Sequence, residues 1–299
     1  MDRNDLKAFL AVAEQQSFSR AAVHLKLTQP AVSKRIRALE LNLGVRLFDR
    51  VGKRVYLTDP GRLLKPRAEA ILRQLTDTQT LLRNLHGQVD GVLSLATSHH
   101  VGLHRLAPVL RTFSRQYGEV RLDIRFVDSE VAHDMVHAAD AELAVVTLDP
   151  AASRRLRYQP LWRDPLTFVA SRDHPLASAR NITLRDLTRH APILPGTGTF
   201  TGRIVIETFR AAGLDLAASM STNYLETIAM LVGIGLGWSV LPVSLLAAPM
   251  VALDVRCPQL ARTLGCVTNP ERTPSNAARA FVEVLEGYAD GREASHAGF

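Results

Sequence analysis

Gln29, Ser33, Lys34 and Arg37 place an amide, a hydroxyl and two cations within three turns of a possible helix. Pro30 suits the first turn of such a helix, because the N–H it lacks would be unpaired there anyway. Thr28, just before it, has the side chain of a helix cap. If residues 30–41 are helical, Val32, Ile36 and Leu39 share one face at i, i+4, i+7 spacing. Pro30, Lys34 and Arg37 then occupy the opposite face, with Ser33 at its margin. A helix with an apolar back and a cationic, hydrogen-bonding front fits the major groove of DNA. There Gln29 and Ser33 can pair with base edges or phosphates, and Lys34 and Arg37 can reach phosphates or guanine.

Charge separates this reading from a merely solvated basic face. Residues 1–62 hold 12 Lys and Arg against 6 Asp and Glu, a balance of +6, while the whole chain carries +7. The first fifth of the chain therefore holds nearly all the excess charge, the footprint of a nucleic-acid-binding module joined to an ordinary globular one.

A second set of polar residues follows the apolar runs of the remaining chain. Thr97, Ser98, His99 and His100 come directly after Val92–Ala96, and Pro195-Gly196-Thr197-Gly198-Thr199 forms a small-residue loop leading into a helical stretch. Ser129, Thr147 and Asn223 also fall at the ends of extended runs. Hydroxyls, imidazoles and free backbone N–H groups together favour a polar or anionic ligand. For Thr199 and Asn223, helix capping is an equally good reading. His100 and His104 are four apart, a spacing that puts two imidazoles on one helix face. No cysteine or carboxylate nearby in the chain completes a metal set, so no metal is expected. A histidine at a ligand site makes affinity sensitive to pH between about 5 and 8. Cys266 lies in Thr263-Leu264-Gly265-Cys266-Val267, which reads as a buried strand, and buried cysteine is usually inert packing.

These residues need elements to hold them. Leu6–Gln15 reads as a helix presenting Leu6, Phe9, Leu10 and Ala13 to a small core with Ile36, Leu39 and Leu47. Asp49-Arg50-Val51-Gly52-Lys53-Arg54 reads as a tight basic turn between two strands, with Gly52 free to take positive φ. Thr58-Asp59-Pro60 starts another helix. Along it Leu64, Ala68, Ile71, Leu75, Thr78, Leu82 and Leu85 make an unbroken heptad seam, as in a short coiled coil, which is preferred over an amphipathic helix packed on its own chain. Pro66 inside the seam predicts a kink or a late helix start. Beyond Gly91, apolar runs (Val92–Ala96, Leu143–Val146, Leu166–Ala170, Trp238–Leu241, Leu264–Val267) alternate with helical stretches (103–115, 202–212, 225–232, 277–289). That alternation implies a parallel sheet covered by helices on both faces, with ligand in a cleft at the strand ends.

Composition narrows the class. The chain has 299 residues, room for two or three cores. It has no apolar run long enough to span a membrane, and its start lacks a secretory layout. With no G-x-S-x-G elbow, Walker loop or H-E-x-x-H site, an enzyme is not expected, nor is any cofactor beyond a small-molecule co-inducer.

Phe9-x-x-Val12-Ala13, Ser17-Phe18-Ser19-x-Ala21-Ala22, Leu27-Thr28-Gln29-Pro30-Ala31-Val32-Ser33, Leu39-Glu40, Leu43-Gly44, Leu47-Phe48-x-Arg50 and Leu57-Thr58-x-x-Gly61 together resemble the winged helix-turn-helix of LysR-type transcriptional regulators. The resemblance extends, more weakly, over the full length. It implies an α/β protein with an N-terminal winged helix-turn-helix (1–58), a long linker and dimerisation helix (59–90) and a periplasmic-binding-protein-like (type 2) effector domain (91–299). That domain would comprise two α/β subdomains, one of residues 91–161 and 268–299 and one of 162–267, with crossovers near Tyr158–Trp162 and Cys266–Pro270. DNA contact carries over to Gln29, Pro30, Ser33, Lys34 and Arg50; Lys53 and Arg54 are added from charge and position in the wing. The expected partners are a double-stranded DNA operator, a second copy through the linker helix, four copies through the sensor domains, and a small-molecule effector in the cytoplasm at the nucleoid. One branch of this family senses peroxide through a cysteine pair, which draws attention to Cys257 and Cys266, nine residues apart.

Overall fold

The computed structural model describes residues 1–51, 54–85, 87–151 and 155–290. Contacts divide the chain into two compact units, Met1–His86 and Gly87–Phe299.

The first unit opens with α1 (Arg3–Gln15), started by a capping box in which Asp2 and Asp5 each accept from the other's backbone N–H. Helices α2 (Phe18–His24) and α3 (Gln29–Leu43) follow, capped by Ser17 and Thr28. Gly44, at φ 68°, ends α3 in the left-handed conformation that glycine adopts without strain. Strands β1 (Phe48–Val51) and β2 (Arg54–Leu57) pair antiparallel as the wing. Leu6, Phe9 and Val12 of α1 meet Val32, Ile36 and Leu39 of α3, with Leu47 and Phe48, in one buried cluster. The carboxylate of Glu40 accepts from the N–H groups of Leu47 (2.7 Å) and Phe48, fixing the entry to the wing.

Helix α4 (Asp59–Asn84) begins at the Thr58 cap and continues through Pro66, so the expected late start does not occur. Gly61 in its first turn is required by packing: a Cβ there would meet the carbonyl of Leu47 and the side chain of Leu57. The seam expected along this helix divides in two. Ala68 is fully buried, and Leu64, Ile71 and Leu72 pack on the first unit's own core. Leu75, Leu81, Leu82 and Leu85 are exposed. Apart from exposed Leu63, the front of the helix therefore belongs to its own chain, and the back is apolar and uncovered.

The second unit contains β3 (Gly91–Thr97), α5 (His99–Val101), a π-helical turn (Gly102–Leu106), α6 (Ala107–Gln116), β4 (Val120–Phe126), α7 (Ser129–Ala138) and β5 (Leu143–Thr147). The long strand β6 (Arg157–Ser171) follows, then α8 (Leu184–Leu187), β7 (Ile193–Leu194), α9 (Phe200–Ala211), β8 (Met220–Ser221), α10 (Leu225–Gly233), β9 (Trp238–Pro242), β10 (Met250–Ala252), β11 (Ala261–Thr268) and α11 (Asn276–Glu286). The expected sheet was parallel; the observed one is mixed. Strands β4, β3 and β5 are parallel, whereas β11 lies antiparallel between β5 and β6, and β9 and β10 pair antiparallel with β6. The reversal arises because β6 and β11 carry the chain in opposite directions between two halves.

Residues 157–165 of β6 pair with β11, and residues 166–171 pair with β9 and β10. The strand thus serves both halves. Strand β11 pairs with β6 along its whole length and with β5 from Leu264 to Thr268. The outward crossing lies at Pro165–Leu166, just past the expected Tyr158–Trp162. Each half has cores on both faces of its sheet: clusters around Phe113 and Phe281 and around Ala144 and Val146 in the first, around Phe209 and Trp238 and around Ile228 in the second. No helix among the described residues is long and apolar enough to cross a membrane.

Candidate functional site

Two surfaces carry the chemistry, one in each unit. On α3 the buried residues Val32, Ile36 and Leu39 fix the rotation of the helix, leaving Gln29, Pro30, Lys34 and Arg37 exposed and Ser33 half-buried. Thr28 caps the helix by accepting from the N–H of Ala31, and the amide of Gln29 donates to the Ser33 hydroxyl at 2.9 Å. The backbone places Arg50 on β1 and Arg54 on β2 as neighbours of Val55 and Val51 in the wing ladder. Gly52 and Lys53, at the wing tip, lie outside the described residues.

The second unit holds a cleft of about 430 Å³ between its halves, within the range of small-metabolite sites. Ser98, His99 and His100 line it from the start of α5, Ser129 from α7 and Thr147 from the end of β5; Thr199 and Asn223 line it from the other half. Thr97 sits behind this wall, fully buried, with its hydroxyl donating to the carbonyl of Val145 at 2.7 Å. Thr197 and Gly198 are exposed and do not reach the lining.

The small-residue loop was expected to present free N–H groups to an anion. The N–H groups of Gly196, Thr199 and Phe200 are instead engaged. Thr199 caps α9 by accepting from Gly202 and donates to the carbonyl of Gly196. Gly196 N–H donates to Asn223 Oδ1 at 3.1 Å, and Phe200 N–H donates to the Glu130 carboxylate from the opposite half. Asn223 does not cap α10, whose cap position is Tyr224; its amide donates instead to Asp128 Oδ2 across the cleft.

The one arginine among the described residues of the cleft lining escaped the sequence reading. Arg262 opens β11, is 6 % exposed, and lines the cleft wall. Its Nε donates to Asp164 Oδ2 at 2.7 Å and its Nη1 to Thr201 Oγ1 at 2.9 Å. Its Nη2 is buried without a partner. Burial pulls the guanidinium below its usual range, opposed by the adjacent Asp164 carboxylate. A buried cation with an unused donor is the complement of an anionic group.

Beside it, Glu226 of α10 reaches both histidines of the other half. His100 Nδ1 and His104 Nε2 lie 3.1 and 3.2 Å from the same oxygen, Glu226 Oε1. Burial raises the Glu226 pKa, but the His100 hydrogen bond and the neighbouring imidazole bring it down to about 2. His100 is shifted down, first by burial and then by the Arg262 charge, against the pull of Glu226. The carboxylate missing near these histidines in the chain is thus supplied by the fold. Cys266 is buried in the cluster around Phe113, and burial pushes its thiol up to about 12; Cys257 packs at the edge of the cluster around Trp238, also raised by burial.

Comparison with known proteins finds matches to both parts of the chain. Residues 3–62 match the bacterial regulatory helix-turn-helix family of lysR type, and residues 86–290 match the LysR substrate binding domain. The RuBisCO operon transcriptional regulator of Allochromatium vinosum is 30% identical over 286 residues, covering 94% of each chain. An HTH-type transcriptional regulator of Azotobacter vinelandii is 63% identical over 108 residues, 36% of this chain and 75% of that one. Among solved structures, a full-length OxyR variant from Pseudomonas aeruginosa matches with a TM-score of 0.67 at 23% identity, covering 96% of this chain and 94% of that one. CbnR in complex with its target DNA matches with a TM-score of 0.61 at 22% identity, covering 97% of this chain and all of that one. These two show the shared fold. A helix-turn-helix with its reading face exposed, followed by a two-half cleft domain and matched on both parts, places the chain in the LysR family of transcriptional regulators, which are DNA-binding proteins and not enzymes.

Proposed function

We propose that this LysR-type regulator responds to a small organic anion, held between the halves of its second unit by Arg262. The observation that carries the reading is the unpartnered Nη2 of a buried guanidinium at the cleft wall. A carboxylate there gains a charge-assisted hydrogen bond and relieves a buried donor that would otherwise cost about 1–3 kcal/mol. Ser98, Ser129 and Thr147 supply neutral hydrogen-bonding groups around it, and Phe126 and Tyr224 supply apolar walls. The effector-binding domain of QuiR, a structural neighbour at 17% identity and TM-score 0.60, is in complex with shikimate, a hydroxylated carboxylate; it suggests the class of probe.

On DNA, Gln29, Pro30, Ser33, Lys34 and Arg37 form the reading face, Thr28 orders its start, and Arg50, Lys53 and Arg54 of the wing anchor to flanking phosphates. The exposed back of α4 pairs with a second copy, so that two helix-turn-helix units meet a twofold operator, and second units join pairs into tetramers. The protein works in the cytoplasm, at the nucleoid.

The test is thermal denaturation of the full-length protein with a panel of hydroxylated, aromatic and dicarboxylic acids, beside matched uncharged amides. The double variant Asp164→Asn/Arg262→Gln removes both charges of the buried pair together and so avoids leaving either alone. Acids that raise the melting temperature of the native protein, but neither of the double variant nor as amides, support the reading. Stabilisation by amides and acids alike, or its survival in the double variant, removes Arg262 from the site.

A further inference from the structure

We propose that His100, His104 and Glu226 form a binding site for a zinc-class divalent metal ion that ties the two halves of the second unit together. The three donor atoms all lie within 4.8 Å of one another. Two of their separations, from Glu226 Oε1 to His100 Nδ1 and to His104 Nε2, are 3.1 and 3.2 Å. Nitrogen and oxygen ligands held tetrahedrally at about 2.0–2.2 Å from zinc stand about 3.4 Å apart. The observed edges are therefore close to those of a metal polyhedron.

Two ordinary hydrogen bonds fit the same distances, but further features favour an ion. Both imidazoles converge on one carboxylate oxygen, while the other, Oε2, is buried without a hydrogen-bond partner. A protein-only network leaves that oxygen idle; a metal can draw on it as a second ligand atom. The donor set is two histidines and one carboxylate, the three-ligand set of open zinc sites, with room for water or another ligand. The local charge also suits a cation, because the nearby guanidinium of Arg262 is already paired with Asp164 at 2.7 Å, leaving the Glu226 charge to the site. Finally, His100 precedes and His104 lies within a π-helical turn, Gly102–Leu106, an irregularity that recurs at functional sites. The imidazoles come from one half of the unit and the carboxylate from the other. A bound ion would thus hold the cleft closed, adding to ligand-driven closure rather than replacing it.

His100 also lines the effector cleft but His104 and Glu226 do not, so variants at those two positions test the metal site without altering the cleft lining. The experiment uses tag-free full-length protein stripped with chelator, titrated with zinc by calorimetry and with cobalt(II) by visible absorption. The expected result is one ion per chain, a cobalt spectrum of low-coordinate type, and a zinc-dependent rise in melting temperature. His104→Ala and Glu226→Gln should each weaken zinc binding by at least about tenfold and abolish the cobalt spectrum. Their melting curves without metal show whether they fold, and His104 is exposed enough to be removed without opening a core. Absence of zinc binding in the native protein overturns the proposal. So does binding, or zinc stabilisation, that survives unchanged in both variants.

Discussion

Asn223 donates to Asp128 across the cleft at 2.6 Å, while its carbonyl oxygen accepts from the N–H of Gly196 at 3.1 Å. One side chain therefore latches two halves of the unit and pins the loop that precedes α9. Asn223→Ala should free the Gly196 amide, whose hydrogen exchange should rise about fivefold for a bond worth about 1 kcal/mol. Asp128→Ala should loosen the latch but leave Gly196 protected. Equal exchange of Gly196 in the native protein and Asn223→Ala would mean that the loop is held by other contacts.

On α3, Gln29→Ala should weaken binding to the cognate operator by about 1–3 kcal/mol and barely change binding to random DNA. In the wing, Arg54→Ala, losing a phosphate contact, should weaken both alike and lower the slope of the salt dependence by about one ion. Titrations at several salt concentrations measure each effect. Equal losses on both DNAs for Gln29→Ala would remove it from base reading.

Helix α4 predicts opposite results for its two ends. Ala68→Leu adds volume to a filled position in the core of the first unit and should destabilise the chain by about 1–3 kcal/mol. Leu75→Asp with Leu82→Asp changes two exposed residues; it should spare the melting temperature of the isolated chain while breaking the assembly. Sedimentation and denaturation of both variants distinguish the ends. An intact assembly in the double aspartate variant would move the pairing surface elsewhere.

The cysteines predict quiet thiol chemistry. With its pKa raised to about 12, Cys266 stays protonated at pH 8, and Cys257, raised by burial as well, should react slowly. Native protein should titrate at most one thiol with a disulfide reagent, the second appearing only on unfolding. Operator affinity should be the same before and after peroxide. Rapid reaction of both thiols in the native state would restore a redox role.

Features decided within a few residues were legible in the sequence. The buried face of α3 follows from Val32, Ile36 and Leu39 at helical spacing, and the caps at Thr28, Thr58 and Thr199 each lie three residues from the N–H they accept. Strand β4 was legible too but went unread: Val120, Leu122 and Ile124 alternate with Arg121, Asp123 and Arg125. What no local pattern carries is pairing over long separations. Glu226 meets His100 only because two halves fold against each other, 126 residues apart in the chain. Nothing near Arg262 in the chain announced Asp164, 98 residues away.

Pro165 and Ala261 stand opposite each other in the ladder between β6 and β11. The segment between them leaves the first half of the unit and returns to it at neighbouring points. It is therefore a cassette with its two ends side by side. Exchange of this segment between related genes would need only two joints, both within one strand pair, to bring in a new half-cleft with Thr199 and Asn223 replaced. Arg262 and the DNA-reading helix would remain with the host chain. New ligand preferences can then arise by transplantation as well as by point substitution, without redesigning the operator.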